Sequence, residues 1–304
     1  MRELLEQLSQ EIISIVDKAE SKGILTSRFK EVIIPDVFVR AVDFERGFRT
    51  VPITQSNHPA EERVEGISSA IYPLADLRWK NYLSGDELRA WEKVSNGLQQ
   101  AVAGKIARGI AELEKTRDVL LAQGLTGAIS YPQHPSGTFT VSFGTPETAT
   151  WDATDILGTI ESGLDVLAKN GFGGKTYLFV GKTRFDEILA NPSIQTLIQG
   201  QAIAVGVLTG ESNLSVRGVE IVYAGYSVTL PDGSVVKLVN DTGAFLVSED
   251  AVINVFGIPN LVNAAPMRYQ TALAYNERDV QGVEILVATR YLPLVFVKGV
   301  VKYT

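Results

Sequence analysis

Two histidines and the lack of cysteine set the first limits on the chemistry that this sequence could do. His58 and His134 each precede a proline. Such dipeptides are extended or turn-like, which indicates surface loops rather than positioned imidazoles. A serine–histidine triad or a two-histidine metal centre is therefore not favoured. With no cysteine in 304 residues, disulfides, zinc–thiolate sites, iron–sulfur clusters and cysteine nucleophiles are excluded.

Two glycine-containing segments resemble nucleotide-binding loops. Gly181-Lys182-Thr183 lies between a predicted strand and a predicted helix, where a phosphate-binding loop would occur. That motif needs a glycine five residues before Gly181, and the residue there is Thr176. The run Gly171-Phe172-Gly173-Gly174 follows a helix and precedes a strand, which reverses the order of a dinucleotide-binding loop. Nucleotide binding is not predicted, and we expect no cofactor.

Acidic pairs and one basic–aromatic triplet are the remaining candidates for chemistry. Glu61-Glu62 falls in a polar segment, and Asp86-Glu87 falls at the start of a predicted helix. Paired carboxylates do acid–base work only in a cleft that separates their pKa values, so both pairs are interpreted as solvated. Arg78-Trp79-Lys80 could stack on nucleic-acid bases, but one such triplet in an acidic chain is more typical of an interface or a core anchor. No enzymatic site is predicted.

Composition and charge narrow the class of protein. The chain is 45% apolar and 21% charged, which is ordinary globular usage, and its length favours two domains or one elaborate domain. The net charge of -7 is not accompanied by a basic stripe, so tight direct binding of nucleic acid is not expected. The apolar stretch at 292–297 is far shorter than the roughly 20 residues of a membrane helix. We expect a soluble protein with no membrane partner.

The N-terminal part of the chain changes character several times. A helical period predicts a helix over 3–20. Residues 31–54 contain extended pieces that Pro35 splits, and residues 55–66 are polar and charged, which indicates an exposed excursion. Ser84 and Glu87 fit a capping box, and helical spacing continues from there to about residue 124. Gly97, Gly104 and Gly109 inside this helix indicate a bend, close approach to a neighbouring backbone, or simple tolerance.

The remainder of the chain mixes strands with shorter helices. A hairpin is predicted over 128–143, a helix after Trp151-Asp152-Ala153-Thr154-Asp155, and a buried strand at 177–180. Asp232-Gly233 predicts a β-hairpin with a tight primed turn. The final 30 residues are almost all strand, with predicted breaks at Gly282 and Pro293. The fold class is therefore α+β.

In their order, these segments resemble the major capsid proteins of tailed bacteriophages, specifically the lambda-type (gene E) group. Residues 28–37 resemble that family's N-terminal arm entering its first strand, and residues 51–83 resemble its extended loop. The helix ending at Ile110–Gly127 is similar to the family's spine helix. The start of the family's axial domain is similar to three segments, 151–157, 177–181 and 188–192. Its remaining strands are similar to 219–226 and 283–303.

The resemblance implies a tailed-phage major capsid fold with four parts. These are an N-terminal arm (1–50), an extended loop (51–83), a peripheral domain with a spine helix at about 86–124 (84–150 and 270–304), and an axial domain (151–269). The resemblance to the family leaves the role of the helix at 3–20 open.

The resemblance also implies a function, which is that of a structural subunit of an icosahedral viral capsid and not of an enzyme. Copies would form pentamers and hexamers that enclose double-stranded DNA without sequence-specific binding. Scaffold, maturation protease, portal and decoration proteins are the further partners it suggests. The virion is the expected location, after assembly in the host cytoplasm. An encapsulin-type shell with enzyme cargo is the alternative, and an unrelated ligand-binding monomer is a third interpretation.

Seven residues are predicted to contact neighbouring subunits. Four lie in the predicted loop and three form the basic–aromatic triplet: Glu61, Glu62, Arg63, Glu65, Arg78, Trp79 and Lys80. Residues 55–70 are expected to make few contacts within their own subunit, because their polar, proline-bearing sequence offers little to bury. Charge complementarity at such a contact would mainly set partner choice and register.

Overall fold

A computed structural model describes residues 23–36, 38–43, 68–93, 97–133, 136–199, 214–258, 268–276 and 282–304. In these ranges helices and strands mix as the predicted α+β class requires. The helices are α1 (Gly85–Glu92), α2 (Gly97–Leu125), α3 (Ile156–Lys169), α4 (Lys182–Ala190) and α5 (Pro192–Gln199). The predicted helix over 3–20 and both histidines lie outside the described residues.

The strands group into two larger sheets and three hairpins. In chain order they are β1 (Lys30–Ile33), β2 (Phe38–Asp43), β3 (Ser68–Pro73), β4 (Ala75–Leu83), β5 (Ala128–Pro132), β6 (Thr138–Ser142), β7 (Glu147–Ala149), β8 (Thr176–Val180), β9 (Leu214–Val216), β10 (Val219–Tyr223), β11 (Ser227–Thr229), β12 (Val235–Lys237), β13 (Ala244–Ser248), β14 (Val252–Gly257), β15 (Gln270–Asn276), β16 (Gly282–Val295) and β17 (Val300–Tyr303).

The first sheet is built around the long strand β16. One side of β16 pairs antiparallel with β15 and, further along, with β14, which pairs parallel with β1. The other side of β16 pairs antiparallel with β4. Because side chains alternate along a strand, one face of this sheet carries the apolar residues that pack against α2.

A break predicted at Pro293 is wrong, because β16 runs through this residue. Pro293 is the register partner of Asn254 in β14. On its other side, β16 is paired only as far as Tyr291, whose partner is Ala75. Beyond Tyr291 the side of β16 that faces β4 has no partner strand. A proline nitrogen directed toward that unpaired side loses no hydrogen bond between strands, so the strand can contain a proline there.

The second sheet, ordered β7–β17–β13–β8–β10–β9, lies in the largest hydrophobic core. Every residue of β8 and β13 is buried, as expected for central strands covered on both faces. Helix α3 contributes Ile156, Ile160 and Leu167 to the same core. The side chain of Asp155 accepts a hydrogen bond from the backbone nitrogen of Gly158 at 2.9 Å and so caps α3. The predicted helix and the predicted buried strand at 177–180 are both confirmed.

The predicted single spine helix is two helices. The capping box is confirmed, because Glu87 accepts from the Ser84 backbone nitrogen at 2.9 Å and Ser84 Oγ accepts from the Glu87 nitrogen at 3.2 Å. It starts α1, however, which ends at Glu92, and the spine begins anew at Gly97. Asparagine and glycine at 96–97 are poor residues for a helix interior, which favours an interruption at this point.

The three hairpins are β2–β3, β5–β6 and β11–β12. The Asp232-Gly233 hairpin exists, but its predicted turn type is wrong. Of these two residues only Gly233 has a positive φ, at 84°, and the backbone nitrogen of Gly233 donates to the Leu230 carbonyl at 2.9 Å. This is the three-residue loop in which a type I turn is followed by a left-handed glycine.

The two larger sheets do not follow the predicted domain limits strictly. Strand β14 lies in the segment predicted as axial, yet it pairs with β16. Strand β17 lies in the segment predicted as peripheral, yet it pairs with β13. Strand β4 lies in the segment predicted as extended loop, yet it belongs to the first sheet. The chain therefore crosses between the two sheets more than once.

Candidate functional site

The predicted contact residues divide between two parts of the chain. Glu61, Glu62, Arg63 and Glu65 lie outside the described residues. The triplet Arg78-Trp79-Lys80 lies in the middle of β4, where its members alternate between the two faces of the first sheet.

Arg78 and Lys80 lie on the exposed face of the sheet. Arg78 pairs with Asp76 at 2.7 Å, and Lys80 pairs across the strands with Glu284 at 2.8 Å. The side chains of Arg78 and Lys80 remain 46% and 63% exposed. Exposed pairs of this kind stabilise a fold by about 0–1 kcal/mol, so both cations stay available to a partner. Their contact with a neighbouring subunit stays a prediction.

Trp79 lies on the opposite face and anchors β4 to the spine helix. Its indole nitrogen donates to Glu112 Oε2 at 2.7 Å. A Cβ atom built on Gly109 would lie 2.5 Å from Trp79 Cε3 and 2.9 Å from Trp79 Cδ2. The indole ring therefore occupies the space that a side chain at position 109 would need. Gly109 therefore marks a close approach, as predicted, but the neighbour is a side chain and not the predicted backbone.

The β2–β3 hairpin presents apolar side chains to solvent. Phe38 is 50% exposed and Ile71 is 64% exposed, and nearby Ile33 in β1 is also exposed. Asp43 and Ser68 are the last register partners at the end of the hairpin where the two strands are joined. Residues 44–67 form the connection between them. The predicted few contacts of residues 55–70 cannot hold for 68–70, because these three residues are paired in β3.

Residues 23–26 are fixed to the spine helix by two buried carboxylates. Asp118 accepts from the backbone nitrogens of Ile24, Leu25 and Thr26 at 2.6, 3.1 and 3.0 Å. It also accepts from the Thr26 hydroxyl at 3.0 Å, while Glu114 accepts from the Gly23 nitrogen at 3.2 Å. Burial raises the pKa of Asp118, and these hydrogen bonds oppose that rise by favouring the charged form. We call Glu114 and Asp118 the arm anchor.

A fully buried arginine stands next to the arm anchor. The guanidinium of Arg117 lies 4.5 Å from the ring centre of Phe256 and 4.7 Å from that of Tyr291. It donates to Glu114 Oε1 at 2.6 Å and to Glu31 Oε1 at 3.2 Å. Burial alone would lower the pKa of Arg117, but attraction to its partners, Glu114 among them, outweighs burial and raises it. Cation–π contacts with these two rings and the paired carboxylates make this burial tolerable.

The carboxylate of Glu114 also connects this cluster to the start of β15. Arg268 donates to Glu114 Oε1 at 2.7 Å, and the hydroxyl of Tyr269 donates to the same oxygen. Burial raises the pKa of Tyr269, so the phenol stays protonated and can donate. The cluster thus joins three distant parts of the chain, and its chemistry is that of a structural clamp. Sequence reasoning singled out none of these residues.

Within the described residues, no group of three or more histidine, cysteine, aspartate or glutamate residues is placed to hold a metal ion. None of the described helices is long and apolar enough to cross a membrane. Lys182, the lysine of the rejected phosphate loop, is exposed and pairs with Asp186 at 2.7 Å.

Comparison with known proteins agrees with the architecture. The family model described as "Phage major capsid protein E" matches residues 35–304. No curated protein sequence gives a significant match.

Three solved structures show the same fold. A prophage capsid protein of Escherichia coli CFT073 has 10% identity and a TM-score of 0.65, and the match covers 97% of this chain and 98% of that one. A virus-like particle from Pyrococcus furiosus has 13% identity and a TM-score of 0.56, with 99% and 100% covered. The mature capsid of bacteriophage PhiM1 has 12% identity and a TM-score of 0.56, with 93% and 87% covered.

The family model spans most of the chain, and the described fold is that of the capsid proteins to which it is similar. The resemblance inferred from the order of the segments is therefore confirmed. This chain belongs to the phage major capsid protein E family, and it is a structural subunit of a viral shell.

Proposed function

We propose that copies of this chain form pentamers and hexamers that close into an icosahedral shell around double-stranded DNA. The exposed apolar side chains of Phe38 and Ile71 on the β2–β3 hairpin are the observation that supports this most directly. Contiguous exposed apolar surface in a soluble protein is typical of an interaction site. Phe38 and Ile71 would be covered in the shell, where the loop lies across an adjacent subunit.

The four-part organisation remains part of this proposal. The arm (1–50), the extended loop (51–83), the peripheral domain (84–150 and 270–304) and the axial domain (151–269) are assigned by resemblance. The first sheet with α2 supports a peripheral body, and the second sheet with α3 supports an axial body. The strands exchanged between the sheets would hold the two bodies together.

The proposed subunit does no catalysis and needs no cofactor. Scaffold, maturation protease, portal and decoration proteins are its proposed partners, and it is proposed to assemble in the host cytoplasm before it resides in the virion. A net charge of -7 suits a wall that encloses a polyanion without binding it tightly. A strongly basic inward surface in an assembled shell would contradict this part of the proposal.

The experiment replaces part of the loop and measures folding and assembly separately. Residues 55–67 are exchanged for a Gly-Ser link, which spares the paired strand β3. The variant should fold with near-normal stability, because surface loops tolerate a change of length at small cost. It should not form shells in electron microscopy, whereas the unaltered chain should.

A variant that unfolds would place residues 55–67 in the core, and a variant that builds normal shells would remove their assembly role. The contents of the shells decide between the two shell functions. Nuclease-protected DNA supports the viral shell, whereas an enzyme cargo without DNA would support the encapsulin alternative.

A further inference from the structure

Strand β4 forms an edge of the first sheet. One side of β4 pairs with β16, and within the described part of the chain no strand pairs with its other side. At nine residues, β4 is longer than the usual strand of about 5–6 residues. The unpaired side of a long strand presents a row of backbone donors and acceptors that another strand can bind.

Side chains close one end of this edge. The backbone nitrogen of Tyr82 donates to Asn81 Oδ1 at 2.7 Å, and Lys105 Nζ donates to the Tyr82 carbonyl at 2.7 Å. Tyr82 is the register partner of Glu284 in β16, but its backbone groups bond to these side chains. They therefore point away from β16, to the unpaired side.

Residues 76–80 leave the middle of the edge open. Backbone groups point alternately to the two sides of an antiparallel strand. The backbone groups of Asp76, Arg78 and Lys80 therefore point to the same side as those of Tyr82. Asp76, Arg78 and Lys80 are all exposed, and their side chains lie on the face of the sheet opposite the spine helix. This stretch can therefore accept an extended segment as an added strand.

The charges along residues 76–80 complement a second copy of the same stretch. When two copies run antiparallel about a two-fold axis at Arg78, Asp76 of each copy lies opposite Lys80 of the other. The two Arg78 side chains face each other at the axis, but each is already paired with its own Asp76 at 2.7 Å. Lys80 also pairs with Glu284 of its own chain at 2.8 Å. A row of alternating charges, from Glu284 through Lys80 to Asp76 of the second copy, would cross the contact, which favours this occupant.

We propose that β4 pairs antiparallel with β4 of a second copy across a two-fold axis at Arg78, which joins the first sheets of two subunits into one continuous sheet. This inference rests on the proposed function and adds to it a contact between capsomers. Neighbours within a ring of five or six are related by a five-fold or six-fold rotation, so two copies related by a two-fold axis belong to different rings. Backbone hydrogen bonds would supply the affinity, and the charges would set the register.

Because the natural chain has no cysteine, one introduced thiol tests the pairing. At the axis the Cα atoms of the two copies of residue 78 would lie about 5.5 Å apart, within the range of a disulfide. Particles of Arg78→Cys, oxidised with glutathione disulfide, should therefore give a strong dimer band on a non-reducing gel. The two copies of residue 80 would lie roughly 14 Å apart, so Lys80→Cys should not link. Arg108→Cys, on the exposed face of the spine helix, is the matched control and should link much less than Arg78→Cys.

A proline at the same position isolates the backbone contribution. Arg78→Pro removes an N–H that points away from β16, so it costs the subunit no hydrogen bond between strands. Thermal melting of the unassembled variant should therefore stay close to that of the unaltered chain. The yield of particles should fall about tenfold or more, because the central backbone hydrogen bonds between the two copies are lost. Arg78→Ala keeps the N–H and should lower the yield much less.

Hydrogen exchange of the unaltered chain supplies a measurement that needs no variant. The amides of Asp76, Arg78 and Lys80 should exchange quickly in the free subunit and slowly in assembled particles. Quick exchange in both states would show that no strand is added to β4 in the shell.

The outcomes separate this inference from the proposed function. If the unaltered chain never assembles, the proposed function is contradicted. If it assembles but Arg78→Cys particles link no more than Arg108→Cys particles, or Arg78→Pro assembles normally, the shell stands and the pairing of β4 with its copy is wrong. Stronger linking through Lys80→Cys than through Arg78→Cys would overturn the axis at Arg78.

Discussion

Gly109→Ala should destabilise the subunit even though alanine is the better helix former. The new Cβ would lie 2.5–3.0 Å from three atoms of the Trp79 ring, so the rigid indole must move. Overpacking of this kind costs about 1–3 kcal/mol, and loss of the hydrogen bond to Glu112 costs about 1.5–3 kcal/mol. The gain in helix propensity offsets about 1 kcal/mol. The expected net loss in the free energy of unfolding is about 1.5–5 kcal/mol.

Gly104→Ala is the matched control in the same helix. Nothing lies within 4 Å of a Cβ built at Gly104, so only the propensity gain should remain, about 1 kcal/mol of added stability. Guanidinium unfolding of the unassembled subunit, followed by tryptophan fluorescence, measures both variants. If Gly109→Ala stabilised the protein as much as Gly104→Ala does, the packing of Trp79 on the spine helix would be refuted.

Three other substitutions test separate features. Arg117→Met should lower the free energy of unfolding, measured by chemical denaturation, by about 3–5 kcal/mol, because it leaves the buried carboxylate of Glu114 undercompensated. Arg108→Met, on the exposed face of the same helix, should lower it by under about 1 kcal/mol. Equal effects of the two substitutions would contradict a buried structural clamp. Gly233→Val should lower the free energy of unfolding by about 1–3 kcal/mol, because φ at this position is +84°. Gly173→Val should lower it by less, because that position needs no positive φ. An unchanged melting temperature for Gly233→Val would show that the hairpin is misplaced. Ile71→Asp should leave the melting temperature of the unassembled subunit unchanged and reduce shell yield, and normal shells would show that this hairpin face is not an interface.

Features set by neighbouring residues could be predicted from the sequence. The capping box at Ser84 and Glu87 and the helix that follows Asp155 depend on contacts three residues apart. The Asp232-Gly233 hairpin was found for the same reason, although Pro231 and the φ at Gly233 give it a different turn type. These signals also gave the order of elements on which the family resemblance was based.

Features set by distant residues could not be predicted. Gly104 and Gly109 look alike in the sequence, and only the position of Trp79 on β4 distinguishes them. The donors to Asp118 are more than 90 residues away along the chain, so nothing local marks this carboxylate as an anchor. One feature of the sequence could have pointed to these buried carboxylates. The charged residues between Glu114 and Asp118 come directly before the apolar residues Val119-Leu120-Leu121 in the same helix.

Pro293 shows that the continuity of a strand also depends on distant residues and could not be predicted from the local sequence. A proline in a sequence that reads as strand is ordinarily a sign of an edge or a break. Whether it interrupts a strand depends on which side of the ladder is occupied, and β4 stops pairing at Tyr291. The register of another strand therefore decides the outcome.

Electron microscopy of the purified full-length chain, expressed alone and together with candidate scaffold and protease from the same virus, tests the central claim most directly. A shell subunit should give closed particles, or five-fold and six-fold rings, and sedimentation should show the same large species. A chain that sediments as a monomer in every combination, with no rings or particles in the images, would contradict the account.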